Sequence, residues 1–545
     1  MFRENTTHTQ ENIFNSTNWM NPRVRDKLSK SWAPIFYEDV FCKIDEKPFT
    51  VLYSDIGRSN FPVNILLSLE YIKHMFNYSD DDLIENFYFN YLINYAVGIR
   101  TLGEINLAKR TLYEFRSRVY NYTLKNPDKA DLIFEQFINL TEEFGKKLGV
   151  SFEEQRMDST FITSNIKKAG RLSLAFDVLT GAVKVIPVEY LTDSFSLKEV
   201  LNPAFKTDIL YKSKPNETSS KLDTVLNLIS EVITIADTLP ELNDENVIKL
   251  AKRFIKEQAE YDNKTQKLKA KNKKEIPTDS LQSAYYEDAT FRTKAGKGNS
   301  GYVLNLSETC SKDNPVQLIT DYKVDKNITA DVNLIKERLP IIKENTVLDK
   351  MYVDGGYYSE DVVALAKEKD VDINFTDMTG KKPSTDKLPI NNFEIDEDEK
   401  IIKSCPKGHT PIRLVNKSGQ AVAHFDKKHC DKCEFKDICR IKEQKKQNVV
   451  RISNKAIIAE RERKKIDKNK KESTSKRAGI KGTNSALKRG HGLAKLQVRR
   501  QYKVQIVTGF KVTAHNIKRH IKQLLRSKKL PKFTADHTTS VPILG

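Results

Sequence analysis

The chain has 545 residues and a mass of 62.6 kDa, room for three or four folding units at roughly 150 residues each. Hydrophobic residues make up 39% and charged residues 30%, which excludes a chain disordered throughout and a collagen-like or mucin-like one. The net charge is +19 and uneven: Arg440 to Lys529 holds 29 Lys or Arg against 5 Asp or Glu, leaving 63 basic and 68 acidic residues elsewhere. A basic block on a slightly acidic body predicts a polyanionic partner, because Lys and Arg displace counterions from phosphate backbones. The competing reading is a solvated lysine-rich surface. No apolar run approaches the ~18 residues that span a bilayer. The start, MFRENTTHTQ, lacks the basic-then-apolar order of a signal peptide, so a soluble, unexported protein without a membrane partner is expected.

Residues 1–50 read as a polar N-terminal arm. Over 51–148 the spacing predicts a helical unit. Pro62 opens a helix with Ile65, Leu66, Leu69, Ile72 and Met75 on one face, and Ser79 caps a second through Leu83, Phe87, Tyr91 and Tyr95. A third lies between Gly103 and Tyr122, with Thr111 as its cap. Such helices suit either a helix-turn-helix-like DNA reader or a plain packing module. After Gly149 the pattern turns β-branched and aromatic, predicting a strand through Asp158 and mixed structure to 194.

From 195 to 285 helical spacing returns, at Leu222, Val225, Leu226, Ile229, Val232, Ile233 and Ala236. Asp244 can cap a further segment carrying Val247, Ile248, Ala251, Phe254 and Ile255. This reads as a helical insertion between two β regions, with the lysine-rich KTQKLKAKNKKEIPTDS as an exposed end. Strands resume over 286–399, in ATFRTKAGKGNSGYVLNLSETC and VQLITDYKVDKN, with a turn at Gly298–Gly301. A helix over 331–347 precedes a short strand ending at Asp354 and a Gly-Gly turn. That places the carboxylate at a strand's C-terminal end, where open α/β sheets build sites. GKGNSG lacks the phosphate-loop spacing, so nucleoside-triphosphate hydrolysis is not expected.

Cys405, Cys430, Cys433 and Cys439 cluster within 400–445. A C-x2-C pair with two further thiols can hold a tetrahedral structural Zn2+, with His409 and His429 as substitutes; reduced thiols without metal and disulfides are the other readings. Cys42 and Cys310 stand apart, as small buried hydrophobes. Residues 446–530 form the basic helical end, and 531–545 a tail. Taken alone, an aspartate in a sequence this acidic is more often a turn or cap residue. Two on separate strands beside a basic helical region match what metal-dependent phosphoryl transfer requires, since carboxylates are hard ligands for paired divalent ions.

The segments FPVNILLSLEYIKHM, RTLYEFRSRV, MDSTFITSNI, FRTKAGKGNSGYVLNLSET, YVDGGYYSED and RAGIKGTNSALKRGHGLAKLQVRR, in that order over about residues 50 to 520, resemble bacterial insertion-sequence DDE transposases. Among these the chain is most similar to the 1182 group, as is the CP…CxxC…C cluster. The resemblance implies an α/β chain: a ribonuclease H-like catalytic domain split by the helical insertion, preceded by an all-helical DNA-binding region and carrying a small zinc-binding insertion. It implies Mg2+ or Mn2+ as cofactor, DNA ends with inverted repeats and target DNA as partners, a homodimer that joins two ends, and a place in the bacterial cytoplasm with the nucleoid. Asp158 in MDST matches the first catalytic acid and Asp354 in YVDGGY the second. Arg292, Lys294 and Lys297 fall in the family's strand pair and would touch phosphates, unless they simply line an exposed hairpin. Lys488, Arg489, Lys495, Arg499 and Arg500 would lie along the DNA backbone.

The third acid departs from the family. Where the family reads Gly-Ile-Glu-Gly-Thr, this chain has Gly479-Ile480-Lys481-Gly482-Thr483, and the nearest acids in sequence are Glu472 and Asp536. At ~4 Å and an effective dielectric of ~20, one charge pair is worth on the order of 4 kcal/mol, and lysine reverses its sign toward a metal ion. Impaired cleavage and strand transfer are therefore expected. Two alternatives stand beside that reading: an enzyme whose metal shell Asn484 or DNA completes, and a non-catalytic DNA-binding protein. A zinc-stabilised nucleic-acid binder with no catalytic ancestry is disfavoured by the ordered acidic motifs.

Overall fold

The computed structural model describes residues 1–9, 15–129, 131–164, 170–191, 195–212, 214, 216–294, 296–378, 386–396 and 399–527. The expected tail over 531–545 lies outside them. The N-terminal helices follow from apolar spacing and caps. Helix α1 (Val63–Phe76) is buried on almost every side and ends where Asn77 turns left-handed at φ 58°. Ser79 and Asp82 form a reciprocal capping box that starts α2 (Asp80–Phe89). Helix α3 (Lys109–Lys125) begins ahead of Thr111, behind Ala108, so Thr111 is an interior residue and not the expected cap. Asp131 caps α4 (Leu132–Leu148) by accepting from the Ile133 and Phe134 amides.

Strand β1 (Glu154–Ile162) carries Asp158 as expected. The chain then turns helical sooner than its composition suggests. LSLAFDVL lies in α5 (Arg171–Val183), which packs with α6 (Thr218–Asp237) and α7 (Asn246–Gln258) around a core of their own, so the helical unit starts well before residue 195. Its apolar face, Leu172, Ala175, Phe176 and Leu179, is buried against α6 and α7, and this tertiary burial decides an ambiguous run. Asp244 pairs with Lys249 and caps nothing, since α7 follows Glu245. The lysine-rich stretch contains a short hairpin of Ala259–Asp262 with Lys267–Ala270.

Strand β2 (Thr290–Lys294) pairs antiparallel with β3 (Lys297–Thr309). The turn lies ahead of Lys297, at Gly296 (φ 74°); Gly298–Gly301 are inside β3, opposite Thr293–Thr290, which corrects the expected turn. Strand β4 (Ile319–Lys326) continues the antiparallel run, followed by α8 (Asp331–Asn345), β5 (Lys350–Val353), α9 (Glu360–Glu368) and β6 (Asp372–Phe375). The sheet order is β2-β3-β1-β5-β6, with β4 also on β3; β1, β3 and β4 alternate in direction, whereas β5 and β6 run parallel to β1. A separate antiparallel sheet, β7 (Arg413–Lys417), β8 (Gln420–Asp426), β9 (Ile441–Glu443) and β10 (Gln447–Ser453), carries the cysteine region and runs past residue 445.

The basic end forms α10 (Asn454–Ala478), α11 (Ile480–Gly490) and α12 (Gln501–Ser527), with a non-helical stretch over 491–500. Helix α12 is the keystone of the packing. Ile506, Phe510, Ile517 and Leu524 belong to the core of the N-terminal helices, while Val504 and Val512 join Leu304, Leu306 and Tyr322 of the sheet. A side chain at Gly509 would strike the Tyr322 hydroxyl, so glycine there lets the helix lie on β4. Asn516, fully buried, accepts from the Ile319 amide (2.9 Å) and donates to the Ile319 carbonyl (2.7 Å).

Glu308 of β3 ties these layers together. Fully buried, it accepts from Arg156 of β1 (2.8 and 2.7 Å), from the Thr483 hydroxyl of α11 (2.6 Å) and from Arg519 of α12 (3.2 Å). Removing one partner of a buried ion pair strands the other charges, at a cost of about 3–5 kcal/mol. Glu308→Ala is therefore expected to lower the melting temperature sharply, with Glu308→Gln, which keeps an acceptor for Thr483, in between. Thermal melting followed by circular dichroism checks this, and an unchanged midpoint in Glu308→Ala would remove the residue from its tethering role.

Candidate active site

The parallel register pairs Arg156 of β1 with Tyr352 of β5. Two residues further along each strand, Asp158 and Asp354 come side by side at the C-terminal end of the sheet's centre. One guanidinium joins them: Arg477 Nη2 donates to Asp158 Oδ1 (2.8 Å) and to Asp354 Oδ2 (2.7 Å). The other oxygen of Asp354 accepts from the Gly356 amide (3.0 Å), and Asp377 accepts from the Gly355 amide (2.7 Å), fixing the Gly-Gly turn. Gly355 is obligatory, because any side chain there would collide with the Asp377 carboxylate.

Arg477 arrives from the junction of α10 and α11. Gly479 keeps helical dihedrals (φ −60°, ψ −30°), so the two helices continue one another across it. The Arg156 guanidinium fills the space where a side chain at Gly479 would be, and donates to the Lys476 carbonyl (2.6 Å). Along this tract Arg477, Lys481, Asn484 and Lys488 fall at helical spacing on one face. Asn484 Nδ2 donates to Asp158 Oδ2 (3.3 Å), while its Oδ1 is buried without a hydrogen-bond partner. Lys488 is half-buried; burial pulls its ammonium pKa down, against the opposing attraction of Asp158. Lys481, at the position of the family's glutamate, is exposed and makes no ion pair among the described residues.

The Asp158 carboxyl is pushed above the usual carboxylate range, chiefly by burial; Arg477 opposes this, and Asp354 and Asp331 add to it. Asp331 opens α8, a position indistinguishable in sequence from an ordinary helix-start acid. Its Oδ2 and Asp354 Oδ1 both lie 3.0 Å from the point a Gly356 side chain would occupy. Asp331 and Asp354 thus border one space, and among the described residues no three His, Cys, Asp or Glu side chains are placed to hold a metal ion. Tyr357, fully buried, donates to Asn305 (2.6 Å) and anchors the turn to β3. Hard oxygen donors with a spare buried amide oxygen suit a hard divalent cation in chemistry.

The remaining predicted residues divide. Arg292 is half-buried and donates to the carbonyls of Asn327 (3.2 Å) and Thr329 (3.4 Å), so its guanidinium braces β2 against the end of β4. The side chains of Lys294 and Lys297 lie outside the described residues. Arg489, Lys495, Arg499 and Arg500 are exposed, the last three on the non-helical stretch before α12, with Arg499 5.0 Å above the Tyr286 ring. Cys405, Cys430, Cys433 and Cys439 line one cavity with His409 and His429, whose rings stack at 4.4 Å; all four are free thiols. Burial raises the thiol pKa of Cys430 and Cys439. Cys310 is buried as expected, but Cys42 is exposed.

Substituting Arg477 by Met leaves Asp158 and Asp354 unneutralised. The cost is expected on the order of 2 kcal/mol, below the ~3–5 of a fully buried pair because Asp354 is 32% exposed. Asp158 would then titrate still higher in the folded protein than unfolded. Stability of Arg477→Met should therefore be lowest above that raised pKa and recover as the pH falls through it. Urea denaturation across pH 4 to 8 reads the slope, and a deficit independent of pH would contradict it.

Comparison with known proteins gives two matches. The family model described as Transposase DDE domain matches residues 404–521, and that described as Transposase domain (DUF772) matches residues 27–118. No curated protein and no solved structure matches the chain. Among the described residues no helix is long and apolar enough to cross a membrane. The first match holds the cysteine sheet, Arg477, Lys481 and α11 but neither Asp158 nor Asp354, and the second ends within α3, short of α4. Together the two matches, which cover less than half of the chain, indicate an insertion-sequence DDE transposase.

Proposed function

We propose that this transposase, of the 1182 group, is built on a ribonuclease H-like catalytic domain in which Asp158 and Asp354 are the first two catalytic acids, acting with Mg2+ or Mn2+. The observation that carries the reading is the register that sets both aspartates side by side, with the helix tract of α10 and α11 laid against them. Three antiparallel strands followed by two parallel ones, with helices between, agree with that fold. Divalent ions held by such carboxylates activate a nucleophile and stabilise the leaving oxygen of a phosphodiester. The chain's own residues would orient the scissile phosphate: Lys488 beside Asp158, and Arg489, Lys495, Arg499 and Arg500 along the backbone of an element end. The N-terminal helices would read the inverted repeats, and a homodimer would hold two ends near target DNA.

Lys481 in the place of the third acid impairs cleavage and strand transfer on this reading. The face that meets the carboxylates carries Arg477, Lys481 and Lys488, three cations where a metal centre needs an anion. That observation favours a second reading, a DNA-binding protein descended from a transposase and no longer cutting. Strand cleavage of labelled element-end DNA with Mg2+ or Mn2+ separates the two. The wild type is expected to cut weakly or not at all, Lys481→Glu to cut, and Lys481→Glu with Asp158→Ala to be silent. Robust cutting by the wild type that depends on Asp158 would overturn the impairment, and silence of all three would leave DNA binding.

The cysteine sheet is proposed to hold a structural Zn2+ on Cys405, Cys430, Cys433 and Cys439. Four thiols around one cavity support this, with His409 and His429 adjacent. Thiolates draw together around the ion as they lose their protons, and binding then stabilises the fold. Elemental analysis is expected to find about one zinc per chain, and Cys433→Ser to lose it together with thermal stability. Zinc-free protein of unchanged stability would refute the assignment.

A further inference from the structure

We propose that three buried histidines and one lysine form an acid-sensitive fastening, which holds the N-terminal helices to the end of α11 and to α12. The seam brings together His74 near the end of α1, His491 directly after α11, and Lys511 and His515 on α12, all four buried. His491 Nδ1 meets the His74 carbonyl (2.9 Å), and its Nε2 meets His515 Nδ1 (3.2 Å). Lys511 Nζ donates to the His491 carbonyl (2.5 Å) and reaches His74 Nδ1 (3.4 Å). The fastening thus joins α1 to the helix that carries Lys488, and to the helix that completes both cores.

The partners dictate where the protons lie. A carbonyl only accepts, so His491 carries its hydrogen on Nδ1 and presents a lone pair at Nε2. His515 therefore donates from Nδ1, which leaves its Nε2 as a lone pair, buried without a hydrogen-bond partner. An ammonium only donates, so His74 accepts at Nδ1. Neutral rings satisfy every one of these bonds. A proton added to His74 at Nδ1 removes an acceptor of Lys511, and one added to His491 or His515 ends as an N–H at His515 Nε2 with no acceptor among the described residues. The surroundings oppose added charge as well. Lys73 and Glu70 face the seam from α1, Arg116 from α3, and Lys518 and Arg519 from α12. Glu70 is already held by Arg116, Lys73 by Asp80 and Arg519 by Glu308, so no acid is left to pair with an imidazolium. Burial, then these cations, draw the His491 pKa down to about 4 against the pull of the His74 carbonyl, and hold His74 and His515 well below the ordinary histidine value. Burial and Lys73 bring Lys511 down to about 8, so near neutral pH it keeps its proton and is the cation of the seam itself. A ring titrating lower folded than unfolded supports the fold fully above an unfolded pKa of about 6.5, and that support is lost as the pH falls toward the folded value. Each such ring raises the opening constant by up to about tenfold per pH unit across that window.

Amide hydrogen exchange of the full-length protein, read by mass spectrometry at about pH 7.5 and about pH 5, tests the fastening without DNA or metal. The wild type is compared with the double variant His491→Asn, His515→Asn, whose amides still donate but do not titrate. After correction for intrinsic exchange, the opening constants of α1 and α12 are expected to rise on acidification at least about tenfold more in the wild type than in the variant. Equal rises in the two proteins, or no rise in the wild type, overturn the fastening. Deuterium exchange at the ring carbon between the two nitrogens gives the titration of each histidine in the wild type, and so decides the matter even if the variant does not fold. His491 and His515 are expected to titrate at least about one pH unit below the ordinary ~6.5. An ordinary value at either ring overturns the fastening.

Discussion

A single buried carboxylate organises the molecule. Glu308 collects Arg156, Thr483 and Arg519, one group from each layer that meets at the centre: strand, helix tract and last helix. None of the four can be placed without the others, because an unpaired charge in that interior is costly. Arg156 in turn presses on Gly479 and holds the Lys476 carbonyl, which sets the rotation of the helix tract about its axis. That rotation decides which side chains meet Asp158 and Asp354. The chemistry of the site is thus fixed by an ion cluster that shares strand β1 with it, Arg156 standing two residues before Asp158.

The cationic face of the tract and the acidic strand ends form one electrostatic unit. Arg477 neutralises two carboxylates that burial and mutual repulsion would otherwise disfavour together. Lys481, one turn on, is exposed and unengaged, so its charge acts at the rim. Asn484 and Lys488 continue the same line toward the basic stretch before α12. Buried Asn484 and half-buried Lys488 stay close to Asp158, while Lys481 and Arg489 present their charge to solvent, an arrangement that suits a polyanion approaching the strand ends.

Much of this was legible in the sequence. The strand through Asp158, the strand ending at Asp354 and the helix after the Gly-Gly turn all follow from periodicity and turn residues, and the structure has them. Local pattern failed where tertiary burial decided. LSLAFDVL is apolar enough for strand or helix, and only packing on α6 and α7 makes it α5. The GNSG run looks like a turn but pairs within β3, where the Phe291 ring lies over Gly298. The two aspartates were noticeable from their motifs, whereas Glu308 and the bridging by Arg477 were not. Each lies far along the chain from its partners, and a charged residue carries no mark of the neighbour that will neutralise it.

The sharing of α12 between two cores reaches back to the order in which the chain is made. Phe36, Leu66, Phe115 and Leu140 bury their apolar surface partly against Phe510, Ile517 and Leu524, residues synthesised hundreds of positions later. During translation the first helices can form, but their shared face has no cover until the final helix has left the ribosome. Contacts of such long sequence separation fold slowly and leave apolar surface open to aggregation meanwhile. A chain cut short before α12 would therefore leave the shared apolar face of the N-terminal helices uncovered as well as lacking the helix itself.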